Sequence, residues 1–81
     1  MWLHCNISDR ELRKMISTGV IQWAGNHKLK IFGELYCKSG KRMHKQNRIF
    51  FGSREEAVRN GFRPCAHCMS LAYQAWKNEF I

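Results

Sequence analysis

The chain has 81 residues, of which 44% are hydrophobic and 12% aromatic, with a single proline. This composition is typical of a globular protein and argues against an intrinsically disordered chain. The length allows one domain, which we place at residues 1–81. A chain this short buries only about 60–65% of its unfolded surface, so its hydrophobic core is marginal. We therefore expect a metal ion, disulfides or self-association to add stability.

Positive charge is concentrated in the middle of the chain. The formal net charge is +8, and seven of the fourteen basic residues fall within residues 28–48, where Glu34 is the one acid. A local basic patch favours a polyanionic partner, most commonly nucleic acid. A solvated surface explains such a patch equally well, so charge alone does not choose between the two interpretations.

The N-terminal residues lack the apolar run of a signal peptide, and no segment is long enough to cross a membrane. We therefore expect a cytoplasmic protein that does not bind membranes. Of the possible oligomeric states, we expect a monomer. In a reducing compartment, its four cysteines would serve as metal ligands or free thiols rather than form disulfides.

The first predicted elements are a helix and a β-hairpin. Ser8-Asp9-Arg10-Glu11 has the pattern of a capping box, and the apolar stripe that follows it ends before Gly19. Residues 20–24 and the alternating residues 28–32 then predict two strands. Gly25-Asn26 lies between them and predicts the turn of the hairpin.

Residues 33–47 are polar and basic, which predicts a loop, and Arg48-Ile49-Phe50-Phe51 predicts a third strand. A second capping box starts at Ser53 and begins a helix that ends at Asn60-Gly61. The last helix carries an apolar face, which we assign to the core rather than to a base-stacking surface: Met69, Tyr73, Trp76 and Phe80. These elements predict a small α+β domain with about three short strands and three helices.

Cys65-Ala66-His67-Cys68 lies where a loop leads into the last helix. Two thiolates at this spacing can bind one ion while neighbouring amides donate hydrogen bonds to sulfur. A redox pair would follow a strand in a βαβ unit, which the predicted elements do not contain. With Cys37 upstream as a third ligand, we predict a structural zinc ion that staples the fold.

Zinc in a structural site takes four ligands, so one more is needed. Cys5 is the remaining thiol, and the adjacent His4 would serve equally if the N-terminal arm folds back. His44 is flanked by cationic side chains that disfavour another cation, and the ring of His67, inside the CxxC turn, would point away from the metal. We predict that the fourth ligand is His4 or Cys5.

Residues 30–68 contain five runs in a characteristic order: Lys30-Ile31-Phe32, Cys37, Asn47-Arg48-Ile49-Phe50-Phe51, Ser53-Arg54-Glu55-Glu56-Ala57 and Gly61-Phe62-Arg63-Pro64-Cys65-Ala66-His67-Cys68. In these runs the stretch resembles the zinc-binding module at the N-terminus of the Ada DNA-alkylation repair protein. The resemblance implies a four-cysteine zinc site and contacts to the DNA backbone. It also implies transfer of a methyl group from a methylated DNA phosphate to a zinc-bound thiolate, which the metal keeps deprotonated.

The resemblance carries over residue by residue with one departure. Cys37, Cys65 and Cys68 match three family ligands, whereas Gly33 occupies the position of the methyl-accepting cysteine. Glycine can neither bind zinc nor accept a methyl group. The resemblance also implies that the basic loop faces DNA phosphates, which it would neutralise without reading sequence: Lys38, Lys41, Arg42, Lys45 and Arg48.

We therefore predict a zinc-binding and DNA-binding module that performs no methyl transfer and is not an enzyme. Two alternatives stay open. In the first, Cys37 or Cys5 accepts a methyl group from a DNA methyl-phosphotriester in a single turnover. In the second, the zinc is purely structural and the basic loop docks on an acidic protein.

Overall fold

The computed structural model describes residues 1–37 and 43–79, except the side chain of Glu79. The helices are α1 (Asp9–Ser17), α2 (Arg54–Arg59) and α3 (Ser70–Glu79), and one-turn 3-10 helices span His4–Asn6 and Lys45–Asn47. The strands are β1 (Trp2–Leu3), β2 (Trp23–Asn26), β3 (Ile31–Glu34), β4 (Arg48–Phe51) and β5 (Arg63–Pro64). None of the described helices has the length and apolar character needed to cross a membrane.

The five strands form one sheet in the order β1-β4-β2-β3-β5. All neighbours are antiparallel except β3 and β5, which are parallel. The predicted α+β class is confirmed, but the sheet has two more strands than we predicted. Both extra strands, β1 and β5, are edge strands of two residues. Two residues are too few to show the alternation by which a strand is detected in a sequence.

Both predicted serine caps are present. The Ser8 hydroxyl accepts a hydrogen bond from the Glu11 amide at 3.2 Å, and the Ser53 hydroxyl accepts one from the Glu56 amide at 3.1 Å. Each bond satisfies a backbone donor that the first turn of a helix leaves unpaired. Gly61 adopts a φ of +83°, which glycine tolerates without steric cost, and it directs the chain out of α2 towards β5.

The predicted hairpin exists, but the Gly25-Asn26 turn is wrong. Both residues lie inside β2, and the turn follows at residues 27–30. The Asn26 side-chain oxygen accepts hydrogen bonds from the amides of Lys28 and Leu29 at 2.9 and 3.0 Å. Gly25 is needed for packing instead, because a Cβ there would lie 2.5 Å from the Ile31 carbonyl oxygen.

Each face of the sheet carries its own hydrophobic cluster. On the back face, β-strand side chains pack against α2 and the start of α3, and the buried members are Phe32, Ile49, Phe51, Ala57, Phe62 and Met69. On the front face, Ile21, Ala24 and Phe50 pack beneath Leu12, Met15 and Ile16 of α1. Since side chains alternate along a strand, Gly33 and Arg48 also belong to the front face.

Two aromatic residues of the last helix are less buried than predicted. Met69 is buried in the back-face cluster as predicted. Tyr73 and Trp76 are half-buried and stack on each other, with centroids 6.0 Å apart and planes inclined by 25°. The Arg63 guanidinium lies 5.1 Å from the Tyr73 ring and 5.8 Å from the Trp76 ring. Phe80 lies outside the described residues.

Candidate metal centre

Three separate pieces of backbone bring three cysteines together at the β3–β5 edge of the sheet. Cys37 follows β3 in a turn closed by its amide, which donates to the Glu34 carbonyl at 3.2 Å. Cys65 follows β5, and its amide donates to the Phe32 carbonyl at 2.8 Å. Cys68 lies in the turn before α3, which is closed by a 3.0 Å hydrogen bond from the Met69 amide to the Cys65 carbonyl. The parallel β3–β5 pairing is therefore what joins Cys37 to the CxxC pair.

The sulfur atoms have the spacing that zinc requires. Cys37, Cys65 and Cys68 offer Sγ atoms that all lie within 4.8 Å of one another, and the Cys37 and Cys65 Sγ atoms are 3.9 Å apart. Zn–S bonds of about 2.3 Å in a tetrahedron place two sulfurs about 3.8 Å apart. The Glu34 amide also donates to the Cys68 Sγ at 3.4 Å, the kind of contact that supports a metal-bound thiolate. The donor set thus fits a zinc ion.

Burial keeps the Cys68 thiol protonated when no cation is present. It raises the pKa of Cys68 to about 12; the Glu34 amide opposes this increase, and the neighbouring Cys37 and Cys65 add to it. Three thiolates crowded together would repel one another in a partly desolvated site. A divalent cation removes that repulsion and supplies the charge that stabilises the deprotonated form. The site is therefore suited to a metal and unsuited to three free thiolates.

The structure does not bring the predicted fourth ligand to this cluster. His4 and Cys5 follow β1, at the opposite edge of the sheet from β5. At about 4.8 Å per strand, the two edges are about 19 Å apart. His4 is instead buried with its ring 5.2 Å from that of Phe50, and Cys5 is exposed. The arm therefore packs on β4, at the far edge of the sheet from the three sulfurs.

The other two histidine candidates also lie outside the cluster. His44 precedes the 3-10 helix at Lys45–Asn47 and is exposed. His67 is exposed within the Cys65–Cys68 turn. Among the residues that the structure describes, Cys37, Cys65 and Cys68 form the one group of at least three potential ligands.

Gly33 lies directly against the sulfur cluster. A Cβ built at this position would be 2.7 Å from the Cys68 Sγ and 3.1 Å from the Cys65 Cβ. A side chain here would thus start inside the metal centre, as expected for the position that the Ada resemblance assigns to a ligand. In this chain the position supplies backbone and no donor atom.

A pocket of about 340 Å³ opens beside the centre on the front face. Gly33, Cys37 and Cys65 line one side of it. The other lining residues are largely apolar and include Leu29, Ile31 and Met43. Two arginines, Arg48 and Arg63, also line the pocket. Glu34 is the one acidic residue among the described residues that line it.

Only two of the five predicted DNA-contacting residues fall within the described part of the chain. Lys45 is exposed, and its ammonium group pairs with Asp9 at 3.4 Å. Arg48 is half-buried, donates to the Leu35 carbonyl at 3.1 Å and lies 5.1 Å from the Phe50 ring. Lys38, Lys41 and Arg42 lie outside the described residues.

Sequence reasoning missed Arg63 as a site residue. It lies in the run that precedes Cys65, and its position on β5 places it between the pocket and the Tyr73–Trp76 stack. The sequence feature that could have identified Arg63 is its position two residues before Cys65. At that spacing, its side chain lies near any site that the CxxC pair forms.

A small α+β chain with three convergent thiols at zinc spacing, two from a CxxC turn, has the features of a zinc-binding domain. Residues 18–70 match the family described as the metal binding domain of Ada, and the chain belongs to that family. Zinc is accordingly its cofactor. Comparison with curated proteins and with solved structures returned no match.

Proposed function

We propose that this protein is a zinc-stabilised module that binds the phosphate backbone of nucleic acid, most naturally DNA, without catalysing a reaction. The observation that carries the proposal is that two arginines, Arg48 and Arg63, line the pocket beside the cysteines. Cys37 and Met43 line it too, and the five residues between them in the sequence include Lys38, Lys41 and Arg42. The residues on either side of this basic stretch, Cys37 and Met43, therefore both lie at the pocket.

The balance of charge supports an anionic partner. Among the lysine and arginine side chains that the structure describes, only Lys45 forms an ion pair with a carboxylate. The excess positive charge of +8 is therefore largely uncompensated within the fold. Such a surface displaces the counterions condensed on a polyphosphate, and their release favours binding at low salt. A site built for phosphate charge and not for base edges would show little sequence preference.

The test is a salt titration of DNA binding, followed by fluorescence anisotropy of a labelled duplex and a labelled single strand. We expect a logarithmic slope of about −0.9 for each phosphate neutralised on duplex DNA. A variant carrying Lys41→Ala, Arg42→Ala and Lys45→Ala should retain its zinc, bind more weakly and show a slope shallower by about three units.

The matched control removes the same charge from α1, by Arg10→Ala, Arg13→Ala and Lys14→Ala. These three residues are exposed and do not line the pocket. The control should lose much less affinity than the triple variant of the basic loop. Equal losses would show that net charge, and not this site, governs binding. If the parent protein binds neither DNA nor RNA at about 100 mM salt, where screening acts over about 10 Å, an acidic protein partner becomes the better explanation.

One observation favours a second candidate, a single-turnover methyl acceptor. Cys37 is only half-buried and lines the pocket, whereas Cys65 is buried. A Cys37 thiolate could attack the methyl carbon of a DNA methyl-phosphotriester. A C–S bond would form, the C–O bond would break, and the phosphodiester would leave as an anion. Mass spectrometry after exposure to such DNA would show one methyl group on Cys37, and an unchanged mass would exclude this reaction.

A further inference from the structure

Within the described residues, the metal centre has one coordination position that no protein donor fills. Cys37, Cys65 and Cys68 provide three donors, and no other cysteine, histidine, aspartate or glutamate within the described residues joins them. The segment at residues 38–42 reads Lys-Ser-Gly-Lys-Arg and contains none of these residue types. Zinc sites with three protein ligands keep their fourth position for a molecule from outside, whereas purely structural sites close it.

Gly33 is the reason that the position stays open. Any side chain there would begin 2.7 Å from the Cys68 Sγ, so a donor at this point on β3 would reach the centre once that sulfur shifted to make room. Glycine leaves only backbone. Its neighbour Glu34 uses its amide as a hydrogen-bond donor to the Cys68 Sγ, which supports a sulfur ligand and does not add one.

The open side of the cluster faces the pocket. Gly33, Cys37 and Cys65 all line this space of about 340 Å³, whereas Cys68 does not. A donor that reaches the metal from solvent would therefore pass through the pocket. The volume accommodates a small organic molecule and not merely one water, whose share of liquid volume is about 30 Å³.

The charges and the lining select the kind of donor. Zinc with three thiolates carries one net negative charge, and Arg48 and Arg63 beside it carry two positive charges. An anionic donor is therefore tolerated next to the centre. Leu29, Ile31 and Met43 give the pocket an apolar wall, which suits a ligand with a short hydrocarbon body. Zinc binds sulfur well, so a small organic thiolate meets all three conditions.

We propose that Gly33 leaves the fourth zinc ligand to a small organic thiol from solution, which enters through the pocket and binds as its thiolate. In this exchange a Zn–S bond forms, solvent leaves the metal and the thiol proton passes to the buffer, without oxidation or reduction. The proposal rests on zinc binding by Cys37, Cys65 and Cys68. It is independent of nucleic-acid binding.

The test uses X-ray absorption spectroscopy of the zinc-loaded full chain, prepared without thiols and then with 2-mercaptoethanol. The thiol-free protein should show three sulfurs at about 2.3 Å and one lighter atom at about 2.0–2.2 Å. Addition of the thiol should raise the sulfur count to four. In the cobalt-substituted protein, the sulfur-to-metal charge-transfer absorption should rise in parallel and saturate.

Two controls identify the fourth donor. Cys5→Ser removes the one other thiol of the chain and should leave both sulfur counts unchanged. His67→Ala removes the nearest imidazole in sequence and should leave the lighter atom in place. Gly33→Cys should give four sulfurs without added thiol and abolish the response, and the measurements on the parent protein decide the question if that variant does not fold.

Three results would overturn the proposal. Four sulfurs in the thiol-free parent would mean that the chain closes its own site. Three sulfurs that do not change with thiol would mean that the fourth position is not exchangeable. Fewer than three sulfurs would also overturn the assignment of the three cysteines as ligands, and DNA binding measured on the same preparation would show whether the proposed function survives.

Discussion

Gly25 lies at one of the tightest points of the fold. It is in the middle of β2, opposite Phe32 of β3 and Ile49 of β4. A Cβ at this position would be 2.5 Å from the Ile31 carbonyl oxygen, 3.2 Å from the Phe32 Cα and 3.3 Å from the Phe51 ring. The two backbone atoms cannot yield by a rotamer change, so the strands themselves would have to separate.

We therefore expect Gly25→Ala to lower the free energy of unfolding by about 1–3 kcal/mol, the usual cost of overpacking a close-packed core. Urea denaturation of the zinc-loaded protein measures this change. Val58→Ala, at a side chain that is 56% exposed on α2, is the control and should change stability by no more than about 0.5 kcal/mol. A neutral Gly25→Ala would contradict the described β2–β3 packing.

His4 makes the stability of the fold depend on pH. Burial lowers the pKa of His4, nearby Arg48 and Lys45 lower it further, and Asp9 opposes them. Its Nδ1 atom is buried without a hydrogen-bond partner among the described residues. Because the unfolded chain binds this proton more readily than the folded chain, stability rises with pH through the window below 6.5, the usual value.

The corresponding prediction is a loss of thermal stability as the pH falls below about 6.5, part of which is removed by His4→Phe. Phenylalanine preserves an aromatic ring against Phe50 but cannot take up a proton. The melting temperatures of parent and variant, both zinc-loaded, should therefore diverge as the solution is acidified. Curves that stay parallel from neutral to mildly acidic pH would mean that His4 does not titrate between the folded and unfolded states.

At the scale of elements, the short helices depend on their caps. α2 has only six residues, too few to be stable alone, and it is held by the buried Ala57 and by the Ser53 cap. Ser53→Ala removes the acceptor for the Glu56 amide and should cost about 0.5–2 kcal/mol. Ser53→Asp supplies an equivalent acceptor and should keep most of the stability. Urea denaturation of both variants tests this, and equal losses would exclude a capping role.

At the scale of the whole molecule, a zinc ion held by Cys37, Cys65 and Cys68 would tie together three separate stretches of the chain. These stretches are the turn after β3, the end of β5 and the turn before α3. Metal binding to such sites supplies folding free energy on the order of 10 kcal/mol, which is as large as the entire stability of many small domains. The ion should therefore decide whether the β3–β5 edge and α3 stay assembled.

We expect a chelator to abolish the cooperative thermal transition of the protein, and we expect Cys37→Ser and Cys65→Ser to do the same with zinc present. Cys5→Ser is the matched control, since Cys5 is exposed and lies at the other edge of the sheet. Circular dichroism and native mass spectrometry, which counts bound ions, measure the outcome. A metal-free protein with unchanged thermal stability would exclude a structural role for zinc.

Zinc affinity should also depend on pH. Since the pKa of Cys68 is about 12 without metal, its thiol is protonated at neutral pH and must lose that proton when the ion binds. The same holds for each other thiol that is protonated before it binds. Protons therefore compete with zinc, and affinity falls as pH falls. Calorimetric titrations in buffers of different ionisation enthalpy count the released protons, and a count of zero would contradict thiolate ligation.

Much of the site could be predicted from the sequence because its signals are local. The CxxC spacing of Cys65 and Cys68 depends on one turn, and the Ser8 and Ser53 caps depend on the residues that follow them. Prediction failed where a contact with residues distant in the sequence overrode a local signal. Gly25-Asn26 reads as a turn, yet the closeness of Ile31 and Phe51 requires a glycine within the strand.

Taken alone, the sequence determined the α+β class, the excess of positive charge and the membership of Cys37, Cys65 and Cys68 in one family pattern. Composition, short-range spacing and the order of motifs carry these properties. Only the tertiary structure decided how they meet. The parallel pairing of β3 with β5, too short to read in the sequence, brings Cys37 to the CxxC turn and Arg63 to the pocket. The strand order β1-β4-β2-β3-β5 moves His4 and Cys5 to the far edge, because a strand's neighbours are set by long-range hydrogen bonding and packing that no local pattern encodes.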